Sequence, residues 1–317
     1  MRVLLVGATG VVGRPMIPLL LGDGHRVIAT TTKPSNTNEL AALGAEPVVM
    51  DVLDAAATRA VVAEHRPEVI VHQATALSGL GNSPRKLGAY FAVTNRLRTE
   101  GTRNLLAAAQ AIGGARLIAQ SFCGWPYAPQ GGPVHDETAP LNPDPPAALR
   151  DTLAAITTLE RLTTESGGTV LRYGGLYGPG TSLAWGGPQV EAIRKRRFPL
   201  VGDAAGVTSF VHVADAAAAT AAAVNTPGAT GIYNVVDDEP APSGEWVPYL
   251  AELLGAKRPW RIPAGLARIL AGDAAVYLMT RTRGGRNDKA KRELGWSPAY
   301  PSWRDGFRAE LAGAVRR

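Results

Sequence analysis

Short apolar runs alternate along this chain with longer stretches in which apolar positions recur every three or four residues. The runs predict strands buried on both faces, and the longer stretches predict helices packed on them through one side. On that reading residues 3–6, 26–31, 46–50, 69–73, 116–120 and 169–172 are strands. Helices cover residues 12–21, 39–43, 55–64, 90–112 and 149–166. Residues 126–146 are too dense in proline for regular structure and predict a loop. The alternation predicts an α/β fold, a doubly wound parallel (Rossmann) sheet with its ligand at the carboxyl ends of the strands. Beyond Gly178 the pattern loosens. Residues 210–213 and 231–236 still predict strands, residues 214–225 a helix, and residues 241–317 a mostly helical stretch. These segments predict a dinucleotide-binding domain of residues 1–177 with 207–240. A smaller C-terminal substrate lobe would be formed by residues 178–206 with 241–317.

The first strand runs straight into Gly7-Ala8-Thr9-Gly10-Val11-Val12-Gly13. Glycine at the first position allows a tight turn, at the second lets backbone approach a pyrophosphate, and at the third lets the helix pack on the strand. The free N–H groups at the helix start, around Thr9, Val11 and Val12, then hold the anion. The alternative is a plain strand–turn–helix. An enzyme that uses NAD commonly places a carboxylate at the end of the second strand, on the ribose 2′-hydroxyl. Here that region reads Ala29-Thr30-Thr31-Thr32-Lys33. Thr32 and Lys33, together with Arg14 just after the last glycine, suit a 2′-phosphate, which predicts NADP in preference to NAD. The alternative is that both cations are ordinary surface residues.

Composition narrows the picture only slightly. The 317 residues carry a net charge of +6 and one cysteine, Cys123. A lone cysteine cannot form an internal disulfide and points to a reducing, cytoplasmic setting. The basic cluster Arg194-Lys195-Arg196-Arg197 follows a helical stretch and reads as a solvated helix end, with no nucleic-acid partner. No apolar run reaches the roughly 18 residues that a membrane span needs. No spacing suggests a metal site, and no Gly-x-Ser-x-Gly elbow occurs.

Further segments match in order: residues 51–54 (Asp-Val-Leu-Asp), 71–74 (Val-His-Gln-Ala), 101–106 (Gly-Thr-Arg-Asn-Leu-Leu), 171–180, 210–215 and 289–296. With the glycine turn they make the chain resemble the extended short-chain dehydrogenase/reductase family, the NAD(P)-dependent epimerases and dehydratases, over nearly its whole length. The resemblance implies that Asp51 and Val52 flank the adenine. It also implies that Gln73, Ala74 and Thr75 line the ribose side, and that residues 173–176, including Gly174 and Leu176, face the nicotinamide.

The family's chemistry rests on Asn, Ser or Thr, and a Tyr and Lys one helical turn apart; the Lys lowers the Tyr pKa and the Tyr moves a proton. The resemblance puts the Ser slot at Ser121, just after the fifth strand. It puts the Tyr slot at Thr152, the Lys slot at Ile156 and the Asn slot at Arg98. Three of the four depart from the pattern, and no Tyr or Lys lies between Tyr127 and Tyr173 to fill the role. Candidate catalytic residues are therefore Ser121, Thr152 and Tyr173. Tyr127, Tyr177, residues 135–137 (His-Asp-Glu) and Cys123 remain alternatives, each with a structural reading beside it. His72 and His212 read as structural.

Relatives acting on nucleotide-sugars carry an arginine where this chain has Thr208. Trp185, Trp246, Trp260 and Tyr277 would line an apolar substrate site or simply pack the lobe. The expected function is an atypical NADP(H)-dependent oxidoreductase acting on a carbonyl or hydroxyl of an apolar or aromatic small molecule. A nucleotide-binding isomerase, cyclase or lyase, and a non-enzymatic NADP(H) sensor, are the alternatives. By resemblance, helices 90–112 and 149–166 would pair in a homodimer.

Overall fold

The computed structural model describes residues 1–77 and 87–315. At its centre lie seven parallel strands: β1 (Arg2–Val6), β2 (Arg26–Thr31), β3 (Glu46–Val49), β4 (Val69–His72), β5 (Arg116–Phe122), β6 (Thr169–Tyr173) and β7 (Gly231–Val235). Their order across the sheet is β7-β6-β5-β4-β1-β2-β3. The order reverses beside β1, so the crevice of a doubly wound sheet opens over β1 and β4.

The helices are α1 (Gly13–Gly22), α2 (Thr37–Ala42), α3 (Ala55–His65), α4 (Leu87–Arg96), α5 (Thr102–Ala111), α6 (Ala147–Glu165), α7 (Pro188–Arg194), α8 (Val213–Asn225), α9 (Ser243–Leu253), α10 (Ala264–Ala271), α11 (Asp273–Thr280), α12 (Asp288–Leu294) and α13 (Trp303–Val315). Alternation along the strands divides the core. Val3, Leu5, Val27, Val71 and Leu171 pack under α1 and α8, while Leu4, Val6, Ile28, Ile70 and Leu117 pack under α3 and α5. A second core joins Trp246, Trp303 and Phe307 of the C-terminal segments to Tyr177 and Phe210. Among the described residues no helix is long and apolar enough to cross a membrane.

Four details differ from the sequence reading. The fifth strand runs on to Phe122, so Ser121 lies inside it. The helix expected at 90–112 is α4 and α5 joined through a π-helical turn, Leu97–Gly101. There the Leu97 carbonyl accepts from His72 Nε2 at 3.1 Å, a tie that a regular helix has no spare carbonyl to make. The proline-rich loop contains a two-residue strand, Val134–His135, paired with Gly284–Gly285. The strand Phe210–His212 stands outside the main sheet and pairs with Gly175–Tyr177, because Gly174 lets the chain leave β6. A Cβ at Gly174 would lie 2.5 Å from the Ser209 carbonyl oxygen.

Candidate functional site

The glycine turn has the geometry that a pyrophosphate requires. Gly7 has φ +87°, and a Cβ there would lie 2.7 Å from the Ala74 nitrogen, so the turn packs directly on the end of β4. A Cβ at Gly13 would lie 2.5 Å from the Gly7 oxygen. Gly10 N–H donates to the Gly7 carbonyl at 3.0 Å, and an added Cβ there would meet only that oxygen, at 3.2 Å. The turn is closed on the protein side and open on the other, a cradle of backbone that fits a dinucleotide diphosphate.

At the end expected to hold the adenosine, the side chains are anchored to backbone. Asp51 is exposed, and its carboxylate accepts from Leu53 N–H at 2.9 Å. The Val52 carbonyl accepts from Asn104 Nδ2 at 2.9 Å, and Gly101 lets the π turn pass close to the Val52 side chain. Thr32 and Lys33 are exposed beyond β2. Arg14 is not free, however. Its Nε and Nη2 reach the two oxygens of Glu39, at 2.8 and 3.1 Å, and both side chains are about half-exposed. The sequence reading has no carboxylate in this neighbourhood; Glu39, at the start of α2, is one.

At the catalytic slots the structure shows a closed network. Ser121, Arg172 and Asn234 lie side by side in register across β5, β6 and β7. The Ser121 hydroxyl donates to Glu160 Oε1 at 2.6 Å. Arg172 holds the same carboxylate through Nε at 2.8 Å and Nη2 at 2.6 Å. Its Nη1 donates to Tyr127 Oη at 3.2 Å, and Tyr127 donates to Asn234 Oδ1 at 2.7 Å. Burial opposes the Arg172 charge, but the Glu160 bonds outweigh it and hold the guanidinium pKa above its ordinary value. Burial pushes the Tyr127 phenol well up. Thr152 is buried on α6 and takes a 3.3 Å bond from Asn95 Nδ2; Ile156 is buried beside it.

The structure thus brings Ser121 and Thr152 to the α6 side of the sheet and places Tyr173 on the other. The Tyr173 hydroxyl takes 2.8 Å from Gln73 Nε2 and lies 2.5 Å from Thr220 Oγ1 on α8, and burial raises its pKa to about 12. It is a core residue that ties β4 and β6 to α8, not a phenol facing the nicotinamide. Gly174, Leu176 and Thr75 remain at the strand ends, where Leu176 and Thr75 are half-buried. Cys123 is buried, with its thiol pushed up to about 12. His72 and His212 are structural, His212 Nδ1 accepting from Ala214 N–H at the start of α8. Trp246 and Tyr277 belong to cores; Trp185 and Trp260 are exposed, and Arg196 lies 3.8 Å over the Trp260 ring. In the basic cluster, Arg194 and Lys195 pair with Glu191.

Two residues that carry the site do not stand out as chemistry in the sequence. Glu160 reads there as one more position of the helix at 149–166, and Arg172 as one more position of the strand at 169–172. A signal exists all the same: an arginine within a strand buried on both faces demands a carboxylate on the covering helix. Arg98, in the Asn slot, is 7% exposed, and burial pushes its guanidinium down to about 10, against the pull of nearby Glu160.

The profile of the NAD dependent epimerase/dehydratase family matches residues 3–236. A 3-diazoavenalumate denitrifying reductase from a Streptomyces species is 47% identical, over 98% of this chain and 100% of that one. A 4-hydroxy-2-methyl-3-oxo-4-farnesyl-3,4-dihydroquinoline-1-oxide ketoreductase from Stigmatella aurantiaca is 27% identical over 94% and 92%. Among solved structures, the UDP-glucose 4-epimerase of Thermus thermophilus in complex with NAD superposes with a TM-score of 0.74 at 24% identity, covering 100% and 99% of the two chains. That likeness establishes the shared architecture. With the glycine cradle, the strand order and these matches together, the chain belongs to the NAD dependent epimerase/dehydratase family and is an oxidoreductase of the extended short-chain dehydrogenase/reductase type.

Proposed function

We propose that the protein is an NADP(H)-dependent reductase of an aromatic small molecule, and that the group it reduces is a diazo function. The observation that carries this reading is the lack of a proton donor at the catalytic slots. Thr152 and Ile156 are buried core residues, the Ser121 hydroxyl donates its hydrogen bond to Glu160, and Tyr173 is sealed between Gln73 and Thr220. Reduction of a carbonyl needs a proton as well as a hydride. Replacing an aryl diazonium group does not: the hydride adds to the substrate, the carbon–nitrogen bond breaks, and dinitrogen leaves. The relative at 47% identity, which matches along both chains, carries just such an activity in its name.

Gly7, Gly10 and Gly13 would hold the diphosphate, and Asp51 and Val52 the adenine. Thr32 and Lys33 would hold the 2′-phosphate, with Arg14 available once it leaves Glu39. Gln73, Ala74, Thr75, Gly174 and Leu176 would line the nicotinamide half. A bound reduced nicotinamide supplies the hydride. The Ser121–Glu160–Arg172–Tyr127 network keeps β5, β6 and α6 in fixed register beneath the substrate and withholds protons from it. The reading includes a homodimer formed through α4, α5 and α6, where Val93 is exposed on α4; a monomeric mass in sedimentation would remove that part.

The test supplies the protein with NADPH deuterated at the nicotinamide 4-position and with 3-diazoavenalumate. The expected result is one cofactor oxidised per dinitrogen released, with deuterium on the product. Cofactor oxidation with an aryl ketone such as acetophenone, and none with the diazo compound, would replace this reading with carbonyl reduction. That is the activity named for the ketoreductase relative.

A further inference from the structure

Arg98 lies on the π turn between α4 and α5. π turns give up regular helical bonds and recur where a side chain must be presented in a particular direction. Here the neighbours Arg96 and Arg103 are exposed and Arg98 is buried. Among the described residues no group bonds to its Nε or Nη1. A guanidinium with its donors unmet in the interior costs several kcal/mol, so a fold retains one only for a partner that arrives.

The carboxylate nearby is not bonded to it. Glu160 Oε1 accepts from Ser121 and Arg172 and Oε2 from Arg172, and Glu160 bears on Arg98 only as a nearby charge. His72, the other neighbour, is pushed down to about 4 by burial and is neutral near pH 7. Position argues in the same direction. Through Leu97 the π turn is tied to His72 at the C-terminal end of β4. One turn earlier, Asn95 bonds Thr152 on α6. Arg98 thus stands at the strand ends where a doubly wound sheet binds its ligand, on the β4–α6 side. The cofactor's own anions belong elsewhere, at Gly10 and beyond β2.

We propose that Arg98 is the receptor for a carboxylate on the substrate, so that the protein selects aromatic acids over their neutral counterparts. The proposal rests on the reductase reading for the placement of the substrate. Arginine suits the task because its planar fork meets both carboxylate oxygens, which lysine cannot do.

Benzoate and its neutral isostere benzamide are the probes, read by the melting temperature of the NADPH-loaded protein and of Arg98→Met. Benzoate should raise the wild-type midpoint at concentrations at least tenfold lower than benzamide needs, and Arg98→Met should abolish that preference. Without ligand, Arg98→Met should melt no lower than wild type, since it removes an unmet buried charge. Arg98→Lys should keep the preference for the acid but bind benzoate at least fivefold more weakly. Equal responses to the two probes, a preference that survives Arg98→Met, or a ligand-free Arg98→Met that melts several degrees lower would each overturn the proposal. The last would make Arg98 a structural cation. NADPH titration separates the two claims. If wild type binds no NADPH, the reductase reading falls, and the same benzoate series on the cofactor-free protein still decides the carboxylate receptor.

Discussion

At the glycine turn the binding surface is backbone, kept open by the missing side chains of Gly7, Gly10 and Gly13. A few strands away, at Ser121, Glu160 and Arg172, side chain closes on side chain and little is left to meet a ligand. The first region matches what any dinucleotide needs, because a diphosphate presents the same charge in every reaction. The second region answers to one reaction only. Here the polar groups that could exchange a proton have been spent on holding the sheet to α6. Nucleotide binding and proton transfer are therefore separable properties of this fold: the glycine cradle stays open while the polar side chains around Ser121 are bonded to one another.

The largest expected effect breaks the first region. Gly13→Val places a branched side chain where even a Cβ comes within 2.5 Å of the Gly7 oxygen. The turn cannot shift without leaving β4, so NADPH affinity should fall more than about 100-fold, or the protein should fail to fold. Fluorescence titration, with circular dichroism to separate the two causes, checks this. Ser121→Ala should change NADPH affinity less than about twofold, and a large loss would show that the two regions are not separable.

Glu160→Gln attacks the second region. It leaves Arg172 buried with half its partner gone, and the expected destabilisation is about 3–5 kcal/mol, read as a fall in the urea midpoint at constant slope. The double variant Glu160→Leu with Arg172→Met removes both charges and should recover most of that loss. If it does not, the network contributes more than charge balance.

A buried carboxylate elsewhere sharpens the contrast because, among the described residues, no cation pairs with it. Asp237, 1% exposed, is pushed up to about 8 by burial, against backbone hydrogen bonds with Phe210 and Trp303. Its folded pKa lies above the unfolded value near 4, so the folded state binds the proton more tightly. Stability is then fully present below about pH 4 and declines as pH rises toward 8, by at most about tenfold in the folding equilibrium per pH unit. Asp237→Asn should flatten that decline. An unchanged slope from pH 5 to 8 would mean that the carboxylate finds a donor in solution.

What can be read in the sequence follows the same division. The sheet and its glycine turn are legible because strands buried on both faces are continuous apolar runs and a tight turn leaves glycines at fixed spacing. The network is not, because Tyr127 and Asn234 lie far along the chain from the Glu160–Arg172 pair and meet it only across β5, β6, β7 and α6. Tyr173 misleads for a related reason. The strand position that faces a cofactor and the one that faces α8 differ by a single residue, and a strand buried on both faces shows no polar alternation to set the register. The π turn is invisible because its cause, His72 reaching the Leu97 carbonyl, is a tertiary contact.

The smallest effect concerns the edge of the nucleotide region, where a side chain rather than backbone does the reading. Lys33→Ala should weaken NADPH about two- to fivefold and leave NADH unchanged, the range expected of an exposed charge pair. Arg14 allows a stricter test, because it is already occupied. Its bidentate bond to Glu39 must open before it can serve a 2′-phosphate, so Glu39 competes with the cofactor. Glu39→Ala should therefore tighten NADPH by a few fold with no change for NADH, and Arg14→Ala should cancel the gain. If Glu39→Ala weakens NADPH instead, the pair's task is to hold α2 against α1, and the preference for NADP rests on Thr32 and Lys33 alone.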